Sequence, residues 1–219
     1  MRQEIDLLKN YPKSKRDVTK RFETKSEQDR LKAREFGRDF FDGERSCGYG
    51  GYNYHPRFWE NVVHDFVDFY GLKSGSRVLD VGCAKGFMLY DLKRLYPEIE
   101  VRGIDISEYA ISHAKEEIKE YVQVGDARQL AFEDRSFDLV ISITTLHNLE
   151  RKDMKKALGE VMRVTKKDAF ITLDAYRDEE EQRAMEAWNL TALTMMHTEE
   201  WKRFFDECGY SGDYYWFIP

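Results

Sequence analysis

VLDVGCAKGF, residues 78–87, joins a β-rich run to the beginning of a helix through a glycine turn. This order is typical of a nucleotide-type binding site at the carboxyl end of a strand. Gly82 and Gly86 carry no Cβ atom and Ala84 carries only a methyl group, so the backbone of the loop can approach a ligand closely. The carboxylate of Asp80 can accept hydrogen bonds near the loop or bind an ammonium group.

The spacing within this loop argues against a dinucleotide ligand. A dinucleotide site uses G-x-G-x-x-G to seat a pyrophosphate on the helix N-terminus. Here the spacing is Gly82-x-Ala84-x-Gly86, without a third glycine at the dinucleotide position. Asp80 also stands just before the loop, where it would repel a pyrophosphate. A ligand with a cationic amino-acid end fits better than a nicotinamide cofactor.

Strand-like and helix-like segments alternate around the loop. We expect strands at 77–81, 101–106, 122–124, 137–143, 169–173 and in the final SGDYYWFIP (211–219). We expect helices at 57–70, 87–96, 107–121, 152–164, 179–196 and 198–208, with Ser107 and Thr198 as N-caps. This alternation predicts an α/β fold with a doubly wound, mostly parallel sheet covered on both faces. Too few strands remain for a closed (β/α)₈ barrel.

An N-terminal extension of different composition precedes this domain. Residues 1–36 are charged and predict one or two helices, and the glycine- and tyrosine-rich stretch 36–59 predicts a loop. We therefore divide the chain into a helical arm with a lid loop (1–56) and a ligand-binding domain (57–219). The net charge is −6, with +5 on residues 1–34 and −11 on the remainder. A basic arm could touch nucleic acid or an anionic substrate, but interleaved acidic residues favour a solvated helical face.

Composition excludes several classes of protein. Cys47, Cys83 and Cys208 are distant and odd in number, which fits neither a disulfide framework nor a metal-ligand spacing. No apolar run approaches the roughly 18 residues of a membrane span. The N-terminus also lacks the apolar stretch of a signal peptide. We expect a cytoplasmic protein with reduced thiols and no metal.

Three further motifs follow the next strands. Asp105 in GIDIS (103–107) is placed to accept both hydroxyls of a ribose. Asp126 in GDAR (125–128) could accept a hydrogen bond from an adenine amino group, with the Ala127 backbone as donor. SITTLHNL (142–149) follows the fourth strand, where the reacting end of a ligand would lie. All these motifs are expected to converge on one crevice.

In these motifs the chain resembles the class I S-adenosylmethionine (SAM)-dependent methyltransferases over residues 57–219. The resemblance implies SAM as cofactor and S-adenosylhomocysteine (SAH) as product. It implies that the loop binds the methionine part, and that the acidic residues after the second and third strands bind ribose and adenine. The cofactor-binding residues expected are Asp80, Gly82, Cys83, Ala84, Gly86, Asp105, Ile106, Asp126, Ala127 and Ser142.

Two positions depart from the family pattern. Ala84 replaces the middle glycine of the family's loop, and its small side chain is expected to be tolerated. The family sheet usually ends in a β-hairpin with an antiparallel last strand, whereas this chain stops after one strand and leaves a seventh strand open. The GYGGYNYHPRFW loop resembles that of uncharacterised bacterial methyltransferases, some of them associated with surface-polysaccharide or other sugar pathways.

The reacting end of the site contains His147, just beyond the fourth strand. Its imidazole could deprotonate an acceptor near neutral pH, or it could be a hydrogen-bonded structural residue, and both readings stay open. Cys83 is expected to be a buried filler, since no base stands near it. The residues expected on the acceptor side are Tyr49, Tyr52, Tyr54, His55, Arg57, Tyr176 and Arg177.

The function expected is in-line methyl transfer to a small molecule, such as a sugar or surface-polysaccharide precursor. A nucleic-acid or protein methyltransferase is a weaker alternative. Against a nucleic-acid acceptor, SITTLHNL replaces the Asn/Asp-Pro-Pro-aromatic element of base-methylating enzymes, and the body is acidic. A cofactor- or nucleoside-binding module without methyl transfer is the alternative outside enzymes. The N-terminal arm could also join two copies into a homo-oligomer.

Overall fold

The computed structural model describes residues 2–12 and 26–219. Its helices are α1 (Glu27–Arg34), α2 (Arg38–Asp42), α3 (Pro56–Tyr70), α4 (Phe87–Leu95), α5 (Glu108–Ser112), α6 (Arg151–Val164), α7 (Glu179–Trp188) and α8 (Thr198–Cys208). Its strands are β1 (Arg77–Val81), β2 (Glu100–Asp105), β3 (Val122–Val124), β4 (Phe137–Ile143), β5 (Thr165–Tyr176), β6 (Met196–His197) and β7 (Asp213–Phe217). Short 3₁₀ turns cover Glu116–Tyr121 and Leu146–Asn148.

The strands form one seven-stranded sheet in the order β3-β2-β1-β4-β5-β6, with β7 paired to β5. Every pairing between these strands is parallel. Leu79 in β1 lies opposite Arg102 on one side and Val140 on the other, so β1 and β4 are neighbours at the point where the strand order reverses. In an open α/β sheet, ligands bind outside the carboxyl ends of the strands at such a switch point. The predicted fold class is confirmed.

Two hydrophobic clusters, one for each layer of helices, hold the sheet in place. One unites α6 and α8 with β4 and β5 and includes Leu158 and Trp201. The other unites α3 and α4 with β1 and β2 and includes Phe66 and Leu89. Since both clusters are buried, the strands are fixed from both faces, and their carboxyl ends form a rigid rim.

The C-terminal part of the sheet differs from the expectation. β7 runs parallel to β5, with Phe170 opposite Asp213, so the antiparallel hairpin implied by the resemblance is absent from the described residues. The sequence does not predict the two-residue strand β6, which brings the number of strands in the sheet to seven. Residues before α1 complete the edge: Ile5 N–H donates to Tyr214 O over 2.9 Å, and Tyr214 N–H donates to Gln3 O over 3.1 Å.

Two predicted helices are shorter than expected. The helix predicted over 107–121 ends at Ser112, and the chain turns before Glu116–Tyr121 so that Ile118 packs beneath Gly86. The helix predicted over 179–196 ends at Trp188. There the Asn189 side chain accepts from Ala192 N–H and donates to Ala192 O, which closes a turn in place of a helix.

Smaller corrections concern the N-terminal arm and a cap. The loop predicted over 36–59 contains α2 and the first residues of α3. Within the predicted arm, residues 2–12 contain no helix, α1 is a helix, and residues 13–25 lie outside the described part. The N-cap of α8 is His197 rather than Thr198, because the His197 ring accepts from Glu199 N–H. Ser107 caps α5 as predicted.

Among residues 2–12 and 26–219, no helix has the length and apolar character that crossing a bilayer demands. The same ranges contain no group of three or more His, Cys, Asp or Glu side chains arranged to hold a metal ion.

Candidate cofactor and acceptor cleft

A large cleft opens at the carboxyl ends of β1, β2, β3, β4 and β5. Its volume is about 1390 Å³. Ligand pockets commonly measure about 300–1,000 Å³. Motif residues of the sheet line its floor, and the aromatic lid (residues 36–54) lines the opposite wall with Phe36, Phe40, Phe41, Tyr49 and Tyr52. The cleft therefore has room for a nucleoside-sized cofactor together with a second small molecule.

The glycine loop is folded back against the end of β2. Gly82 N–H and Cys83 N–H both donate to Ile104 O, over 2.8 and 2.9 Å. Gly82 has φ +89°, and a Cβ atom there would lie 2.1 Å from Oγ1 of Thr145. Only glycine meets both constraints, and the loop after β1 thereby fits closely against the loop after β4.

Two carboxylates stand side by side on the cleft floor. Asp80 is 5% exposed, and within residues 2–12 and 26–219 its side chain makes no hydrogen bond. Burial, and then the nearby charge of Asp105, raises the pKa of Asp80 to about 8. Burial also raises the pKa of Asp105, although its oxygens accept from Ser107 N–H and Ala84 N–H, both over 2.8 Å. The unpartnered carboxylate of Asp80 is thus suited to a cationic ligand group.

The third carboxylate, Asp126, is held differently. Its oxygens accept from the guanidinium of Arg128, at 2.6 Å for the closest pair. This hydrogen bonding lowers the pKa of Asp126 below its usual value, despite partial burial. Arg128 also pairs with Asp153 over 2.8 Å. Asp126 and Ala127 line the cleft, and so does Ile106, which is 56% exposed.

His147 lines the cleft but is almost completely buried. Its Nδ1 accepts from Asp174 N–H over 3.0 Å. Burial lowers the pKa of His147, and the Asp174 carboxylate, 3.4 Å from Nδ1, opposes this shift. A neutral imidazole whose Nδ1 accepts carries its proton on Nε2. In this tautomer the ring can donate a hydrogen bond but cannot take a proton through Nε2, so the geometry favours the structural reading.

The other predicted site residues fall into two groups. Those that line the cleft are Gly82, Cys83, Ala84, Tyr49, Tyr52, His55 and Arg57. Those outside its lining among the described residues are Gly86, Ser142, Tyr54, Tyr176 and Arg177.

Each residue of the second group has a local role. The ring of Tyr176 lies edge-on to the ring of His197, with centroids 5.9 Å apart. Gly86, with φ +72°, is the N-cap residue of α4. The Ser142 hydroxyl donates to Val81 O, and the Tyr54 hydroxyl donates to Asp91. Arg177 pairs with Glu181 over 2.6 Å. None of these contacts places the side chain in the cleft.

Sequence reasoning missed several residues around the cleft. Lys85 in the glycine loop binds Asp42 of α2, and Tyr109 of α5 joins them. Asn189 and Leu190 extend the wall after α7. The position of Lys85 within the motif was a visible signal, but nothing in the local sequence identifies Asp42 as its partner.

The residues present fit SAM. The unpartnered, buried Asp80 carboxylate suits the ammonium group of the methionine part. Asp105, held by two backbone N–H groups, keeps lone pairs for ribose hydroxyls. Gly82 would let the backbone approach the cofactor, and the exposed Ile106 would offer it an apolar surface.

Comparison with known proteins gives matches over the same region. A family model described as a methyltransferase domain matches residues 72–209. The chain is 35% identical over 132 residues to a tRNA (carboxymethyluridine(34)-5-O)-methyltransferase of Arabidopsis thaliana, covering 59% of this chain and 31% of that protein. It is 38% identical over 106 residues to a demethylmenaquinone methyltransferase of Staphylococcus aureus, covering 46% of this chain and 43% of that protein.

A solved structure shares the fold. The YcgJ protein of Bacillus subtilis superposes with a TM-score of 0.54 at 25% sequence identity, covering 67% of this chain and 66% of that one. The chain spans less than half the length of the two curated relatives described above. The matched family model covers more than half of the chain and contains the glycine loop and both carboxylates of the cleft floor. This protein belongs to the class I SAM-dependent methyltransferase family.

Proposed function

We propose that the protein transfers a methyl group from SAM to a small-molecule acceptor. In this proposal residues 57–219 bind the cofactor and residues 1–56 cover the cleft. The observation that carries it is the pair Asp80 and Asp105, with one carboxylate unpartnered and the other held by backbone N–H groups, in a cleft of about 1390 Å³.

The chain's own contribution is to position the reactants and to exclude water. When bound, SAM supplies a methyl group already activated by a sulfonium, so alignment does most of the catalytic work. Asp80 would hold the methionine end and Asp105 the ribose, while Gly82 lets the backbone approach. The lid lines the cleft with Phe41, Tyr49 and Tyr52, whose rings would shield a bound cofactor from water. Aromatic faces also favour a nearby cation.

His147 contributes shape rather than proton transfer in this proposal. Its Nδ1 is committed to Asp174 N–H, and its pKa is lowered by burial. We therefore assign His147 to orienting the loop after β4 on the acceptor side. An acceptor that must lose a proton would lose it to water or to another group of the cleft.

A small acceptor is supported by the shape of the site. The lid and the aromatic rings beyond it enclose the space past the cofactor floor, with Tyr11, Phe58, Trp59, Trp188 and Phe217 on its walls. Sugars and surface-polysaccharide precursors are the first acceptors to screen, because the loop 48–59 resembles that of methyltransferases associated with such pathways.

An RNA acceptor is the second candidate. Two observations favour it: the relative that is named as a tRNA methyltransferase, and the +5 charge of residues 1–34. Incubation with methyl-labelled SAM and either bulk tRNA or a panel of sugar and small-metabolite acceptors separates the two candidates by where the label goes.

The decisive test of the proposed function is calorimetric titration with SAM and with SAH. We expect binding in the micromolar range and its loss in Asp105→Ala. Asp134→Ala, which removes an exposed surface carboxylate paired with Arg163, is the matched control and should bind as the wild type does. A folded wild-type protein that binds neither ligand would contradict the proposal, and label transfer separates an enzyme from a binding module.

Self-association through the N-terminal arm and a cytoplasmic location remain predictions. The described residues of the arm contact their own chain, as in the pairing of Gln3 and Ile5 with Tyr214. Light scattering on the full chain, at several protein concentrations, measures whether a dimer also forms.

A further inference from the structure

Lys85, in the middle of the glycine loop, is buried. It is 6% exposed, and its Nζ donates to Oδ2 of Asp42 over 2.6 Å and to Tyr52 O over 2.9 Å. Lysine is almost never fully buried unless it is paired. Both acceptors belong to the aromatic lid, so this one side chain joins the loop on the cleft floor to the opposite wall.

Asp42 accepts further hydrogen bonds besides the one from Lys85. Its Oδ1 accepts from Tyr52 N–H over 2.9 Å, and its Oδ2 also accepts from the Tyr109 hydroxyl of α5 over 2.8 Å. Burial would raise the pKa of Asp42, but these hydrogen bonds and the charge of Lys85 outweigh it and lower the pKa. The carboxylate is therefore ionised at neutral pH, and it forms a salt bridge with Lys85.

The ring of Tyr52 is fixed by the same arrangement. It stacks on Phe87, the first residue of α4, with ring centroids 5.0 Å apart and 19° between the planes. Tyr52 lines the cleft, and it lies near enough to Asp80 and Asp105 for their charges to add to the effect of burial, which raises its pKa well above the usual value. The residue that Lys85 holds is thus part of the wall facing the cofactor carboxylates.

A buried ion pair contributes little net stability to a folded protein. The cost of removing two charges from water often exceeds their attraction, and well-packed apolar side chains of similar volume do as well or better. An ion pair does fix one geometry, since its hydrogen bonds have definite directions. The definite geometry of the pair bears on the position of the lid relative to the loop.

We propose that Lys85 is a positioning residue that fastens the aromatic lid to the glycine loop, so that the lid is held over the cofactor site as part of that site. This inference rests on the proposed function, because the site is the SAM site named there. The position of the lid is then set by a residue of the glycine loop that lies 33 residues away from Tyr52 in the chain.

The test compares Lys85→Met, Lys85→Arg and the control Lys119→Met, which removes an exposed lysine paired with Glu116. Hydrogen exchange is measured on the ligand-free protein, and SAH affinity is measured by calorimetry. In Lys85→Met we expect faster exchange confined to residues 44–54. We also expect SAH affinity to fall about tenfold, because only the closed fraction of the protein binds fully. Lys85→Arg should keep much of the slow hydrogen exchange and much of the SAH affinity, since a guanidinium can still donate to Asp42 and to Tyr52 O.

Several outcomes would overturn the inference. If Lys85→Met leaves both the hydrogen exchange of residues 44–54 and the SAH affinity unchanged, Lys85 does not hold the lid. If hydrogen exchange rises uniformly over the whole chain, Lys85 contributes only to general stability. If Lys85→Met does not fold, Asp42→Asn takes its place, since it removes the charge but keeps an acceptor for Tyr52 N–H. A wild-type protein that binds no SAH refutes the proposed function and the coupling to it, whereas the exchange data still decide whether Lys85 holds the lid.

Discussion

The backbone N–H of Ala84 donates a 2.8 Å hydrogen bond to Oδ2 of Asp105. This bond ties the loop after β1 to the end of β2, and it turns the Asp105 carboxylate toward the cleft. The other oxygen of Asp105 accepts from Ser107 N–H, where α5 begins. The residue expected to bind the ribose is therefore held by the loop expected to bind the methionine end, and a change in either loop should be felt by both.

Ala84 adopts a conformation that favours glycine, with φ +50°. A non-glycine residue in the left-handed region costs about 1–2 kcal/mol. Glycine would remove this strain, but it loses about 0.5–1 kcal/mol through the greater freedom of the unfolded chain. We expect Ala84→Gly to leave the free energy of unfolding unchanged or to raise it by up to about 1.5 kcal/mol, measured by urea denaturation. Ala110→Gly, in α5, is the control and should destabilise; equal losses in both variants would contradict the prediction.

Gly82→Ala is expected to be severely destabilising. The new Cβ atom would meet Oγ1 of Thr145 at 2.1 Å, on a backbone with φ +89°. Overpacking and a strained backbone each cost about 1–3 kcal/mol, so we expect a loss of roughly 2 kcal/mol or more in unfolding free energy. The control is Gly159→Ala in α6, where nothing lies within 4 Å of the added Cβ atom. There alanine should stabilise the helix by up to about 1 kcal/mol. A similar change in unfolding free energy at both sites would contradict the close fit between the loops after β1 and β4.

Asp80 should make cofactor binding depend on pH. Its pKa in the ligand-free protein is raised to about 8 by burial and by Asp105. The side chain is therefore largely protonated at pH 7, and binding of an ammonium group to the carboxylate would release a proton. We expect SAH affinity to rise between pH 6.5 and pH 8.5, and the heat of binding to vary with the ionisation enthalpy of the buffer.

The same carboxyl group predicts how stability changes with pH. A raised folded-state pKa means that the stability contributed by Asp80 is complete below its unfolded pKa, near 4, and is lost as the pH rises through about 8. The unfolding free energy of the wild type, relative to Asp80→Asn, should thus fall between pH 5 and pH 9. A constant difference between the two proteins over this range would contradict the raised pKa.

The contribution of His147 to the free energy of unfolding should depend on pH with the opposite sign. Burial lowers its folded-state pKa, so its contribution to stability is present above the unfolded pKa and is lost as the pH falls through the folded one. We expect His147→Asn to stay folded at pH 7.5, because the amide oxygen can accept from Asp174 N–H, and to lose less stability than the wild type below about pH 6.5. His64→Asn, on the exposed face of α3, serves as the control. A steeper loss in His147→Asn than in the wild type would show that the ring is not buried in its neutral form.

The strands beneath the cleft could be predicted because each is a short β-rich run followed by glycine or a polar residue. β1 and β4 match their predicted bounds. The carboxylates could be predicted from their places: Asp80 lies near the end of β1, Asp105 at the end of β2 and Asp126 just after β3. These positions depend on local pattern and on chain order alone. The sequence therefore reveals the floor of the cleft.

The wall opposite the floor could not be predicted in the same way. Asp42 and Lys85 lie 43 residues apart, and neither has a neighbour that identifies the other. The break before Glu116 and the turn at Asn189 also depend on contacts made elsewhere: Ile118 packs beneath Gly86, and His147 O accepts from Leu193 N–H and Thr194 N–H. Such features are set by tertiary packing, which overrides local propensity.

The pairing of Gln3 and Ile5 with Tyr214 has a practical consequence for handling this protein. It covers the side of β7 that faces away from β5. An uncovered strand edge is a template on which another chain can add a strand. A truncation that removes residues 2–5, made for convenience in expression, would expose this edge, and the shortened protein should aggregate at concentrations where the full chain stays in solution.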